Sequence, residues 1–69
     1  MNVTAPMVGK LVSLDVKVGD PVKKNDVVAT IEAMKMFVKI YAPADGRVKE
    51  ITSSPDCVVN PESVIMVLE

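Results

Sequence analysis

The chain has 69 residues, eight basic and nine acidic side chains for a formal net charge of −1, no histidine, and one cysteine, Cys57. One small domain is the ceiling: a chain this short buries only about 60% of the surface its unfolded form exposes. A lone thiol makes no internal disulfide and, without histidine, no usual zinc site.

The charge balance gives no electrostatic reason to bind nucleic acid or an anionic membrane. No apolar run approaches the roughly 20 residues of a membrane span, so direct membrane insertion is not expected. No secretory signal is visible at Met1-Asn2-Val3-Thr4, and a cytoplasmic setting is the expectation. Fourteen Val, four Ile and three Thr stand against five Ala and three Leu. Such β-branched side chains suit a pleated surface. Five prolines and three glycines cut the chain into short pieces, none with helical periodicity over three turns. The expected class is all-β, built from short strands. Phe37 and Tyr41 are the only aromatic residues, too few for a barrel that stacks bases on exposed rings.

In chain order, Ala5-Pro6 leads to Gly9, which opens a strand expected over Lys10–Lys17. Gly19-Asp20 is turn chemistry, followed by a short strand near Val22. Asn25-Asp26 makes a second turn, with Asn25 where a positive φ would be comfortable. A strand follows over Val27–Ala33, then a hairpin segment over 33–41. The order then recurs. Shifted by 37 positions, residues 5–32 lie on 42–69 without a gap, with six identities and wider agreement of apolar, turn and charged classes. Ala5-Pro6 meets Ala42-Pro43, Gly9-Lys10 meets Gly46-Arg47, and Glu32 meets Glu69. The second set of strands is expected over Arg47–Thr52, near Val59, and over Val64–Leu68, with Asp56 at a glycine-like turn. The weakest match sets Val16–Gly19 against Ser53–Asp56. Two copies of a β unit that cannot bury its apolar face alone should pack on each other as a pseudo-two-fold sandwich or flattened barrel.

Apolar residues occupy odd positions 27, 29, 31 and 33, then even positions 36, 38 and 40. That parity switch is the mark of a two-residue hairpin loop. Pairing residues whose numbers sum to 69 sets Ala33 against Met36, Ile31 against Val38 and Ala29 against Ile40 on the buried side. Glu32–Phe37, Thr30–Lys39 and Val28–Tyr41 then fall outside. The tip is Met34-Lys35, with a four-residue loop over Met34–Phe37 as the competitor. Met and Lys are poor residues for a tip that needs φ > 0, and local rules fail most often where function constrains a site. An amine held out on a rigid tip suits modification by another protein and not work as a buried general base. An ordinary solvated lysine is the bland alternative. Core filling is the bland reading for both flanking methionines, and it fits Met36 better than Met34.

Glu32-Ala33-Met34-Lys35-Met36 resembles the attachment sequence of biotinyl, or biotin carboxyl carrier, domains, whose hallmark is Ala-Met-Lys-Met. Ala5-Pro6-Met7, Gly9, Gly19-Asp20, Lys23-Lys24 and Ala42-Pro43-Ala44-Asp45-Gly46 also look like family positions, so the resemblance spans residues 1–69. It implies a flattened barrel of two four-stranded antiparallel sheets with pseudo-two-fold symmetry. It implies covalent biotin on Lys35, attached by a biotin protein ligase, with Glu32, Ala33, Met34 and Met36 as the flanking recognition motif. It implies a non-catalytic carrier that moves a carboxyl group between biotin carboxylase and carboxyltransferase or decarboxylase partners. A mitochondrial-matrix setting would follow for a piece of a larger eukaryotic chain. The sequence departs from the family at Val8, Asn25 and Asp56-Cys57. Phe37-Val38 stands where acidic or amide residues are usual. No protruding thumb fits into Val16–Pro21, which makes the chain similar to thumb-less carriers.

Three rivals remain at this level. A lipoyl carrier shares the fold and the hairpin lysine but usually shows Asp-Lys-Ala at the tip. An unmodified barrel-sandwich adapter would not need the lysine. An enzyme using Cys57 as nucleophile has no histidine to activate it, and Val58-Val59 suggest a small buried or edge residue there.

Overall fold

The computed structural model describes all residues, Met1–Glu69. Eight strands follow in chain order: β1 (Asn2–Thr4), β2 (Gly9–Leu14), β3 (Pro21–Val22), β4 (Val27–Ala33), β5 (Met36–Tyr41), β6 (Gly46–Ile51), β7 (Val58–Val59) and β8 (Val64–Leu68). They form two four-stranded antiparallel sheets, ordered β1-β8-β6-β3 and β5-β4-β2-β7. An offset of 37 residues carries β1, β8, β6 and β3 onto β5, β4, β2 and β7, so one sheet order reproduces the other. The expected all-β, pseudo-two-fold flattened barrel is the observed architecture.

The symmetry reaches the irregularities. Registers slip where Val12 and Val28 are the extra residues in one sheet, and where Lys49 and Ile65 are extra in the other. Each such bulge bends its strand and turns two successive side chains the same way. Val28 and Ala29 are both fully buried, and so are Ile65 and Met66. Strict alternation places Val28 outside against Tyr41. The bulge instead buries it and pairs Tyr41 with Val27.

The remaining differences from the sequence reading are short. The first long strand is Gly9–Leu14 instead of Lys10–Lys17, because the chain leaves the sheet at Asp15 and turns. The Asp20 N–H donates to the Lys17 carbonyl, and Asp20 Oδ2 accepts from the Lys17 N–H, both within 3.0 Å. This turn joins β2 directly to β3 and contains no thumb. β1, not expected from residue pattern, extends the internal correspondence to Asn2. The glycine-like turn positions were legible: Asn25 (φ 75°) and Asp56 (φ 73°) have left-handed backbone, as does Gly19 (φ 95°). Cys57 is exposed beside the edge strand β7, not buried.

All fifteen buried residues are apolar. Leu11, Ile31, Ile65, Met66 and Leu68 are the largest, each contributing about 1.5–3 kcal/mol of transfer free energy. Gly9 and Gly46 are required by close approach: a Cβ there would lie 2.7 Å from the Glu32 carbonyl oxygen and 2.6 Å from that of Glu69, respectively. The base of the β4–β5 hairpin is fastened to the start of β6, since the Lys24 N–H donates to Asp45 Oδ1 at 2.8 Å. Glu69 exchanges backbone bonds with Arg47, and the Met1 ammonium donates to the Leu68 carbonyl at 2.7 Å. Both chain ends therefore lie at the hairpin's base, at the opposite pole from its tip, in a body measuring 30 × 19 × 18 Å.

Candidate functional site

The tip is built by two strands whose register leaves it no freedom. β4 and β5 pair Ala33 with Met36, Glu32 with Phe37, Ile31 with Val38, Thr30 with Lys39 and Ala29 with Ile40. These five pairs match the sum-to-69 register, and the loop between them is Met34-Lys35, two residues long. Both have positive φ, 51° at Met34 and 63° at Lys35. That is the requirement of a type I′ turn, whose twist matches that of the flanking strands. The usual Asn-Gly solution is absent. A left-handed L-residue costs roughly 1–2 kcal/mol, so the fold bears that cost twice at one bend. The loop is strained but has nowhere to relax, because β4 is also held on its other side by β2.

Lys35 is exposed at the apex. Met34 is 86% exposed and Met36 67%. Met36 sits on the inward-facing parity of β5, so core filling was its expected role. The hairpin projects past the end of the core, and nothing lies beneath this position to cover it. Ala33, directly opposite Met36 on β4, is the first buried residue of the arm. It packs over Gly9, whose missing side chain makes room for it: a Cβ at Gly9 would come within 3.3 Å of the Ala33 Cβ. Glu32 is exposed on the outer face, between Phe37 on β5 and Lys10 on β2. Lys10 Nζ in turn lies 3.6 Å from Asp56 Oδ1, an exposed pair of little energetic weight.

The five motif residues thus occupy one end of one hairpin, with Ala33 as its footing and Lys35 as its point. No pocket and no group of three or more potential metal ligands accompanies them. What the arrangement offers is a primary amine on a stiff support, open to a large partner from several sides. The apolar outer flank that Phe37-Val38 gives the hairpin in sequence is exposed at Phe37, beside that amine. Phe37 is 68% exposed, which its outer-face parity already indicated.

Comparison with known proteins follows the same outline. A family model described as biotin-requiring enzyme matches residues 1–68. The biotin/lipoyl attachment protein of Bacillus subtilis is 38% identical over 99% of this chain and 93% of its own length. The mitochondrial methylcrotonoyl-CoA carboxylase α subunit of Dictyostelium discoideum is 34% identical over 97% of this chain, which spans only 10% of that subunit. Among solved structures, Kluyveromyces lactis urea carboxylase superimposes on the whole chain with a TM-score of 0.93 at 26% identity, over 6% of its length. The lipoyl domain of the 2-oxoglutarate dehydrogenase complex of Azotobacter vinelandii shares the fold, with a TM-score of 0.81 at 24% identity. A tip lysine on two sheets related by an internal two-fold is therefore more than a local likeness: the chain belongs to the biotin/lipoyl attachment family.

Proposed function

We propose that residues 1–69 act as a biotinyl carrier domain and that the Lys35 Nζ forms an amide with the carboxyl carbon of biotin. The observation that carries this reading is the exposed two-residue tip, where Lys35 stands between two exposed methionines in a backbone conformation that neither tip residue favours. The description of the matching family as biotin-requiring enzyme, together with the similarity to a carboxylase subunit, supports biotin as the cofactor. The residues present fit covalent attachment. The amine is unobstructed, and the register of β4 against β5 fixes its position relative to the body.

Bound biotin would supply a nitrogen that accepts and releases a carboxyl group at separate partner sites. The chain's own contribution is mechanical. Lys35 provides a flexible four-carbon stem above a rigid bend, which converts encounters with tethered partners into local ones. Met34 and Met36 give a biotin protein ligase an apolar surface on each side of the target amine, and Glu32 marks the outer face. The reacting groups for carboxylation and transfer come from biotin carboxylase and carboxyltransferase or decarboxylase partners. The lipoyl reading keeps support from the shared fold of the Azotobacter domain, but Met34-Lys35-Met36 favours biotin.

Co-expression with a biotin protein ligase, followed by intact mass spectrometry, tests the assignment. The wild type should gain the mass of one biotinyl group and Lys35→Ala none. A wild type that stays unmodified, a lipoyl mass instead, or a labelled Lys35→Ala chain would overturn it.

A further inference from the structure

The internal two-fold provides a comparison within the molecule. β1 and β5 occupy equivalent sheet edges, yet their chemistry differs. β1 is Asn2-Val3-Thr4, with only the two polar residues exposed. β5 is twice as long and exposes Met36, Phe37 and Tyr41 around one charge, Lys39. Edge strands are ordinarily blunted by shortness, charge or bulges. β1 is blunted in this way, whereas β5 is long, largely apolar and free of any bulge of its own.

Backbone direction can be followed along β5. The Ala42 N–H donates to the Asp26 carbonyl at 2.8 Å, and the Ala42 carbonyl accepts from the Asn25 N–H at 2.9 Å. Both groups of Ala42 therefore face the β4 side. Strand alternation then turns the backbone groups of Phe37, Lys39 and Tyr41 toward the open edge.

We propose that this edge pairs antiparallel with the β5 edge of a second copy, about a two-fold axis through Val38. Five registers lay outward-facing groups opposite each other within the exposed stretch, and the two centred on Ile40 and Tyr41 bring Pro43, which has no N–H to donate, opposite Phe37 or Lys39. Centring on Phe37 sets Lys39 against the second copy's Lys35. Centring on Lys39 sets the two Lys39 side chains against each other. Centring on Val38 sets Phe37 against the second copy's Lys39 twice, each ammonium beside a ring on the same outer face. The two hairpin tips then point to opposite ends of the paired ribbon. A contact this short falls below the standard interface size, so the dimer is weak and forms at high concentration.

Sedimentation equilibrium and amide NMR spectra, recorded from about 0.05 to about 2 mM protein, span the range of a small, weak interface. The wild type should shift from monomer toward dimer, with concentration-dependent peaks confined to residues 36–41. Phe37→Lys places like charges opposite and should abolish the association. Phe37→Glu places opposite charges there and should keep it. The double substitution Phe37→Lys with Lys39→Glu should restore it, which separates a lost contact from a damaged fold. A wild type that is monomeric throughout overturns the proposal. So does equal behaviour of Phe37→Lys and Phe37→Glu, which would reflect undirected apolar adhesion.

Discussion

Met34 and Lys35 hold backbone angles that asparagine or glycine would adopt at less cost, so stability and function pull apart at these two positions. Met34 has φ 51° and a side chain almost wholly in solvent, so it returns little packing energy for its strain. Met34→Gly should therefore stabilise the fold by about 0.5–1 kcal/mol after glycine's own backbone entropy is counted. That is a rise of several degrees in the thermal midpoint for a domain of this size, while biotinylation by the ligase should fall. Calorimetry and a labelling time course would check the two halves separately. Gly9 presents the opposite case. Gly9→Ala drives a Cβ against the Glu32 carbonyl oxygen, a backbone atom that cannot swing aside, and should cost about 1–3 kcal/mol. The same loss is expected for Gly46→Ala, whose obstruction is the equivalent oxygen of Glu69; urea unfolding of both variants would measure it.

At the level of strands, the legible and the illegible divide cleanly. The hairpin register from Ala29 to Met36–Ile40 could be read from parity alone, because one slipped residue would turn the whole apolar set to water. Asn25 and Asp56 could be read as left-handed from their chemistry. The bulges could not. Val28 and Ala29 are both valid strand residues, and nothing in a period-two pattern says that both point inward. Met36 misled for a related reason: parity gives the face on which a residue lies, not whether the core reaches far enough to cover it. β1 was missed because three residues carry too little pattern to distinguish. A measurement can separate the bulge from simple alternation. Val28→Ala should cost about 2 kcal/mol as a fully buried position. Glu32→Ala, four residues along the same strand and exposed, should stay within about 0.5 kcal/mol of wild type. Equal, small effects in denaturant titrations would place Val28 outside after all.

The whole molecule behaves as two equivalent halves of which one has a closed hairpin and the other an open one. By the 37-residue offset Glu32 corresponds to Glu69 and Val38 to Met1, so Ala33–Phe37 has no counterpart between the two ends. Five residues are missing there (33 through 37), and β8 already pairs with β1 as β4 pairs with β5. Joining Glu69 to Met1 through a copied Ala-Met-Lys-Met-Phe segment, and opening the chain between Ser54 and Pro55, should give a folded protein. Its thermal midpoint should stay within several degrees of wild type, and it should accept two biotinyl groups in place of one. Circular dichroism reports the first outcome and intact mass the second, so a folding failure is not mistaken for a labelling failure.

The bond between Met1 and Leu68 also fixes how the body answers to tension. A pull applied between the two ends loads that outermost rung alone, and β1 would peel from β8 one bond after another, as a zip opens, instead of shearing along its length. The first part to yield is thus a strand of the other sheet, and the bend that carries the amine would keep its shape while slack is drawn from the other pole.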